Sequence, residues 1–108
     1  MKIGTVDGLD ALLDEEHWEA HIVSGHPEMQ GNLGLVIDTL QNAAAVFRSK
    51  RDLETRIYLK EHASVTLGSR LIEQMTLRVY VRENDGFVVT AFFASAWSRG
   101  LGERLWPS

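Results

Sequence analysis

The chain has 108 residues, of which 44% are hydrophobic and 24% are charged, a composition that fits one globular domain over residues 1–108. It contains no cysteine, so disulfides, thiolate nucleophiles and metal sites built on cysteine are excluded. No apolar run reaches the roughly 18 residues of a membrane-spanning helix. No apolar signal core follows Met1 and Lys2, so we expect a cytoplasmic protein with no membrane partner.

The charge is unevenly distributed along the chain. The formal net charge of -4, taken as a whole, argues against a nucleic-acid-binding protein. However, residues 1–43 hold one lysine against eight acids, whereas residues 44–82 hold eight lysines and arginines against four acids. The middle of the chain is therefore a basic segment, which is either an anion-binding surface or a set of solvated charges that cluster by chance.

Two helices are predicted in the first part of the chain. The first covers residues 14–24, because three acids stand at its start, where the helix dipole favours negative charge, and Trp18 and Ile22 form an apolar pair one turn apart. The second begins at Pro27, since proline is accepted at the first helical position. Its apolar residues follow helical spacing and are Met29, Leu33, Val36, Ile37 and Leu40.

Strands are predicted at residues 44–48, 55–62, 74–83 and 87–94. The third is the most regular, because apolar and polar residues alternate along it, and the Asp85-Gly86 pair predicts a hairpin turn to the fourth. The predicted fold class is therefore α+β, with two N-terminal helices packed on a roughly four-stranded antiparallel sheet. We expect residues 97–108 to return and cover an edge of the core.

Strand alternation assigns the faces of this sheet. The predicted core comprises Trp18, Ile22, Leu33, Ile37, Leu40, Ile57, Leu59, Leu77, Val79, Val81, Val89 and Phe93. The predicted exposed face carries Arg56, Tyr58, Lys60, His62, Arg78, Tyr80 and Arg82. Such a face binds phosphates through its cations and stacks bases on its tyrosines. The alternative is an ordinary solvated sheet face, since arginine and tyrosine are also good strand residues.

Three of the four histidines, His17, His21 and His26, fall within ten residues. A histidine ring ordinarily titrates near neutral pH, so a group of histidines is able to supply an acid and a base. Two alternatives remain open, because His26 is also placed to cap the second helix, and all three histidines together are able to ligate a metal. Thr90 is the one polar residue of an apolar strand, and it is either a core filler or a hydroxyl that faces the site.

Seven short motifs follow one another between residues 17 and 94. They are His21-Ile22, His26-Pro27-Glu28, Thr39-Leu40-Gln41-Asn42, Ala45-Val46-Phe47-Arg48-Ser49, Arg56-Ile57-Tyr58, Leu77-Arg78-Val79-Tyr80-Val81 and Val88-Val89-Thr90-Ala91-Phe92. Their order resembles that of phage-type members of the barnase-EndoU-colicin-RelE superfamily. The resemblance implies a metal-independent, RNA-cleaving toxin or effector without a cofactor. The catalytic residues that it implies are His21, His26, Arg56, Tyr58 and Thr90.

The expected reaction is attack of a ribose 2′-hydroxyl on the adjacent phosphate, which leaves a 2′,3′-cyclic phosphate. His21 is our first choice of base, with His17 as the alternative, His26 is our choice of acid, and Arg56 stabilises the charge on the phosphorane. The residues expected to bind RNA are Lys60, Arg78, Tyr80 and Arg82. A toxin also implies a cognate inhibitor or immunity protein. The alternative function is a non-catalytic interaction module, such as a phage accessory or immunity-type protein, that binds a protein partner through the same basic face.

Overall fold

The computed structural model describes residues 1–94 and 99–108. The N-terminal elements are β1 (Lys2–Gly4), β2 (Asp10–Leu12), α1 (Glu15–His17), a π-helix that continues α1 (Trp18–Val23), a 3-10 helix (Pro27–Met29) and α2 (Leu33–Asn42). The remaining strands are β3 (Ala45–Ser49), β4 (Thr55–Leu67), β5 (Arg70–Arg82), β6 (Val88–Ala94) and β7 (Leu101–Trp106). Among the residues described, no helix is long and apolar enough to cross a membrane.

The predicted fold class is wrong, because the chain is built mainly of sheet. Among the described residues, strands make up 49% and helices 23%. Strands β3 to β7 form one antiparallel sheet in the order β6-β5-β4-β3-β7, and β1 pairs with β2 in a separate two-stranded sheet. The first two strands have three residues each, which is too short for an alternating pattern to be recognised in the sequence.

The last strand covers one edge of the sheet, as expected of residues 97–108. Strand β7 lies beside β3, but its register shifts on both sides of Phe47, so its residues do not alternate regularly. Because of this irregularity, no strand pattern is recognisable in this part of the sequence. Trp97 and Ser98, which belong to the same predicted segment, lie outside the described residues.

The helices agree with the prediction only in part. The first is present, since Asp14 caps α1 by accepting a hydrogen bond from the backbone N–H of His17, and the π-helix follows directly. The second does not begin at Pro27. The 3-10 helix there ends before Gly31, whose φ of 82° interrupts any helix, and α2 begins only at Leu33.

The main core lies between the helical segments and one face of the five-stranded sheet, with Trp18, Ile22 and Leu40 packed on the strands. The predicted core residues that are buried are Trp18, Ile22, Leu40, Ile57, Leu59, Leu77, Val79 and Val81, while Leu33, Ile37 and Phe93 are half-buried. The prediction is wrong for Val89, which lies on the edge strand β6 and is 38% exposed.

The predicted assignment of faces in β4 is also wrong. Tyr58 is fully buried in the main core, whereas Ile57 and Leu59 are buried on the opposite face, in a second cluster with Leu101. Side chains on both faces of β4 are therefore buried here. The face of β4 that reads as exposed in the sequence is the one that packs against the helices.

The polar residues on this inner face of β4 are compensated by partners in the covering elements. The carboxylate of Asp7, in the turn between β1 and β2, accepts hydrogen bonds from Arg56 Nη1 and from the Tyr58 hydroxyl, both at 2.7 Å. The Thr5 hydroxyl donates a hydrogen bond to the same carboxylate. The carboxylate of Glu83 accepts a hydrogen bond from Arg56 Nε at 3.1 Å. Burial alone raises the pKa of Asp7, but these hydrogen bonds hold it below its usual range.

A second polar group joins β4 to α2. Lys60 forms an ion pair with Asp38, and the His62 Nε2 atom lies 2.7 Å from the hydroxyl of Thr39. His62 is 7% exposed, although the sequence predicted it on the solvent face. Burial lowers the pKa of His62, Asp38 opposes this shift and Lys60 adds to it, so the neutral ring is favoured in the folded state.

We expect Asp7→Asn to lower the free energy of unfolding by about 2–3 kcal/mol at pH 7, because it removes the buried carboxylate that Arg56 and Tyr58 share and leaves Arg56 paired with Glu83 alone. Urea denaturation measures this difference. It should shrink in acid as the pH falls through the lowered folded-state pKa of Asp7, where the wild-type carboxyl also becomes neutral. The matched control is Asp10→Asn, since the Lys2–Asp10 pair is 68% and 63% exposed and contributes less than about 1 kcal/mol. Equal losses in both variants would contradict the role of Asp7.

We expect the His62 ring to titrate below about pH 6.5, the ordinary value for histidine. Because the folded-state pKa is lowered, the contribution of His62 to stability is complete above that pH and is lost as the pH falls through the folded pKa. Proton NMR of the imidazole signals measures the titration, and His62→Gln identifies the signal by removing it. A His62 signal that titrates at or above pH 6.5 would rule out the buried neutral ring.

Candidate functional site

A cleft of about 600 Å³ lies on the sheet face opposite the helices. We call it the arginine cleft. Its described lining residues come from β3, β5 and β6 and from the turns beside β3 and β7. They are Ser49, Arg51, Arg78, Tyr80, Thr90, Phe92, Phe93, Ala94, Arg99 and Gly100. Three of these are arginines and none is acidic, so the described wall of the cleft favours an anionic ligand.

Two backbone segments meet at the rim of the arginine cleft. The backbone N–H of Lys50 donates to the carbonyl of Gly100 at 3.1 Å, which joins the turn after β3 to the turn before β7. The Ser49 hydroxyl accepts from the backbone N–H of Arg51 at 3.2 Å and fixes the first of these turns. The two segments therefore bring Arg51 and Arg99 to the same opening.

The three arginines of the cleft differ in their surroundings. Arg78 is 4% exposed, and its Nη1 donates to the carbonyl of Arg99 at 2.6 Å and to the Tyr80 hydroxyl at 3.3 Å. It thereby holds the turn before β7 against the sheet. Arg51 and Arg99 are exposed, and their guanidinium groups have no hydrogen bond or ion pair with another residue among those described. These two cations are available to a ligand.

A row of stacked rings borders the cleft. The Tyr80 and Phe92 rings lie 5.4 Å apart at 22°, and the His26 and Phe92 rings lie 5.0 Å apart at 26°. Tyr80 is on β5, Phe92 on the edge strand β6, and His26 on the chain outside that edge, so Phe92 lies between the other two. His26, which the sequence predicted as a site residue, packs against the cleft residue Phe92 and is not itself among the described lining residues.

The other two histidines lie further along the β6 edge. The His17 Nε2 atom is 2.8 Å from the carbonyl oxygen of Val89, and the His17 ring packs against Phe87 at 4.7 Å and against His21 at 4.9 Å. The His17 ring thus forms a hydrogen bond with a backbone carbonyl on the open edge of β6. No group of three or more potential metal-ligating side chains is found among the residues that were placed.

The predicted shared face of Arg56, Thr90 and the tyrosines is wrong. Side chains alternate along a strand, and Tyr80 is paired with Ile57 on one side and with Thr90 on the other, so these three residues share the face of the arginine cleft. The predicted site residues on the opposite, helix-covered face are Arg56, Tyr58 and Lys60. Arg82 lies apart from both groups, since it is exposed, paired with Asp85 and placed over the Phe87 ring.

Sequence reasoning missed Arg51, Arg99 and Phe92. Arg51 falls in the turn between two predicted strands and Arg99 in the Arg-Gly pair before β7, so neither is part of an alternating pattern. Phe92 belongs to a strand that is apolar on both faces, so the sequence does not predict which face of the sheet its side chain is on. A clue was present for Arg51, which stands in the basic segment between residues 44 and 82.

Comparison with protein-family models, with curated proteins and with solved structures found no match for this chain. The resemblance to the barnase-EndoU-colicin-RelE superfamily therefore stays a prediction.

Proposed function

We propose that this protein binds single-stranded RNA, with one nucleotide of the RNA held in the arginine cleft. The observation that carries the proposal is the pair Arg51 and Arg99, two exposed guanidinium groups without a partner among the described residues, at a cleft whose described lining contains no acid. Guanidinium groups bind phosphate oxygens through paired, charge-assisted hydrogen bonds. A phosphate of the RNA backbone fits this arrangement.

The remaining cleft residues suit the other parts of a nucleotide. Tyr80 and Phe92 offer the parts of their rings that lie outside the stack as an apolar contact for a base or sugar. Thr90 offers a hydroxyl group, which is able to bond a ribose 2′-hydroxyl. A volume of about 600 Å³ lies within the roughly 300–1,000 Å³ of small-ligand sites. The cleft is therefore sized for one nucleotide, and the rest of the strand lies outside it.

Binding is better supported than cleavage. The predicted reaction requires Arg56 and Thr90 at one phosphate, and they lie on opposite faces of the sheet. No histidine is among the described lining residues of the cleft. Cleavage to a 2′,3′-cyclic phosphate and the cytoplasmic location stay predictions, and the latter would place the protein where single-stranded RNA is present.

We expect a fluorescein-labelled ten-residue oligouridylate to bind with an affinity that falls steeply between 50 and 200 mM salt. Fluorescence anisotropy in the presence of EDTA measures this binding. The double variant Arg51→Glu, Arg99→Glu should bind at least about tenfold more weakly, and the slope of log affinity against log salt should become shallower by about 1, because the two arginines hold one phosphate. The control is Lys2→Glu, Arg70→Glu, which makes the same change of charge at exposed residues outside the cleft.

The outcomes separate the possible ligands. An equal loss of affinity in both double variants would show that net charge alone causes the effect, and it would overturn the cleft as the binding site. No binding by the wild-type protein at 50 mM salt would overturn RNA binding altogether. Uridine monophosphate that competes as strongly as the oligonucleotide would replace RNA by a free nucleotide as the ligand. Incubation followed by mass spectrometry tests cleavage in the same samples, since a 2′,3′-cyclic phosphate end would restore the ribonuclease prediction.

A further inference from the structure

The row of rings at the cleft has one open end. Phe92 has Tyr80 on one side and His26 on the other, so neither of its faces is accessible to a base. The Tyr80 side of the row faces the interior of the sheet, where Tyr80 packs against the second core cluster. The open end is therefore His26, whose side chain is 36% exposed.

The position of His26 is fixed by its backbone. Its N–H donates to the carbonyl of Ile22 at 2.8 Å, and its own carbonyl accepts from the N–H of Met29 at 2.9 Å. Pro27 follows directly and restricts the backbone further. The ring edge is oriented as well, since Nδ1 lies 3.5 Å from a carboxylate oxygen of Glu28. A ring held in this way needs little additional ordering when a ligand stacks on it.

We propose that the outer face of His26 is a second stacking position for a base of the bound RNA. The minimal ligand is then a dinucleotide, with one phosphate at Arg51 and Arg99 in the cleft and the neighbouring base on His26, outside the edge of β6. This inference rests on the proposed RNA binding and assigns His26 a contact with the base in place of the acid role that the sequence suggested. An aromatic ring with one covered and one accessible face is the form that stacking platforms for single strands take.

The test compares uridine 5′-monophosphate with the dinucleotide pUpU by isothermal titration calorimetry. For the wild-type protein we expect pUpU to bind about tenfold more tightly, since one stacked base contributes about that much. His26→Ala should abolish this gain and leave the affinity for the monophosphate unchanged. His26→Phe should keep the gain, because it preserves the aromatic face while it removes the ring nitrogens and their contact with Glu28.

The matched control is His21→Ala, an exposed histidine whose ring contact is with His17 and not with the cleft row. It should leave both affinities unchanged. A gain for pUpU that persists in His26→Ala would come from the additional phosphate and would overturn the stacking position. Loss of the gain in both His26→Ala and His26→Phe would also overturn it, in favour of a polar contact. If neither short ligand nor the longer oligouridylate binds, the proposed function itself is wrong. If the oligouridylate binds but the two short ligands have equal affinities, only the second stacking position is ruled out.

Discussion

The arrangement of this protein depends on how the polar side of β4 is neutralised beneath the elements that cover it. Arg56 and Tyr58 converge on the carboxylate of Asp7, and Lys60 and His62 engage α2. Burying such groups without partners would cost several kcal/mol for each charge. Because the partners are supplied by the N-terminal hairpin and by α2, this face accepts the helices and becomes part of the main core.

The opposite face of the sheet is left for the cleft as a result. Ile57 and Leu59 form a smaller apolar cluster there with Leu101, and the buried Arg78 holds the turn before β7 above it. The cleft is therefore assembled from residues far apart in the chain, on a regular antiparallel frame. Its two exposed arginines come from turns, which fits the general pattern that a rigid sheet positions binding groups carried on loops.

The sequence was informative where structure is local. The positions of β3, of the first helix and of the turn between β5 and β6 follow from short-range patterns, and they agree with the structure. What a local pattern does not contain is the partner of a polar residue: Arg56 and Tyr58 read as solvent-facing because Asp7 lies about fifty positions away in the chain. Arg78, Tyr80 and Thr90 lie on one face of the sheet, whereas the prediction placed Arg56 on that face as well.

The bond between His17 and the carbonyl of Val89 has a consequence for self-association. An edge strand with open carbonyl and N–H groups is a template on which another chain is able to add a strand and begin an aggregate. At β6 the His17 ring occupies one of these carbonyl groups, and α1 with its π-helical continuation lies along the strand. At the other edge, the register shifts of β7 and its charged residues Glu103 and Arg104 disfavour a regular ladder. The two edges of the sheet are thus protected against the addition of further strands in different ways, by a side-chain hydrogen bond at β6 and by an irregular, charged strand at β7.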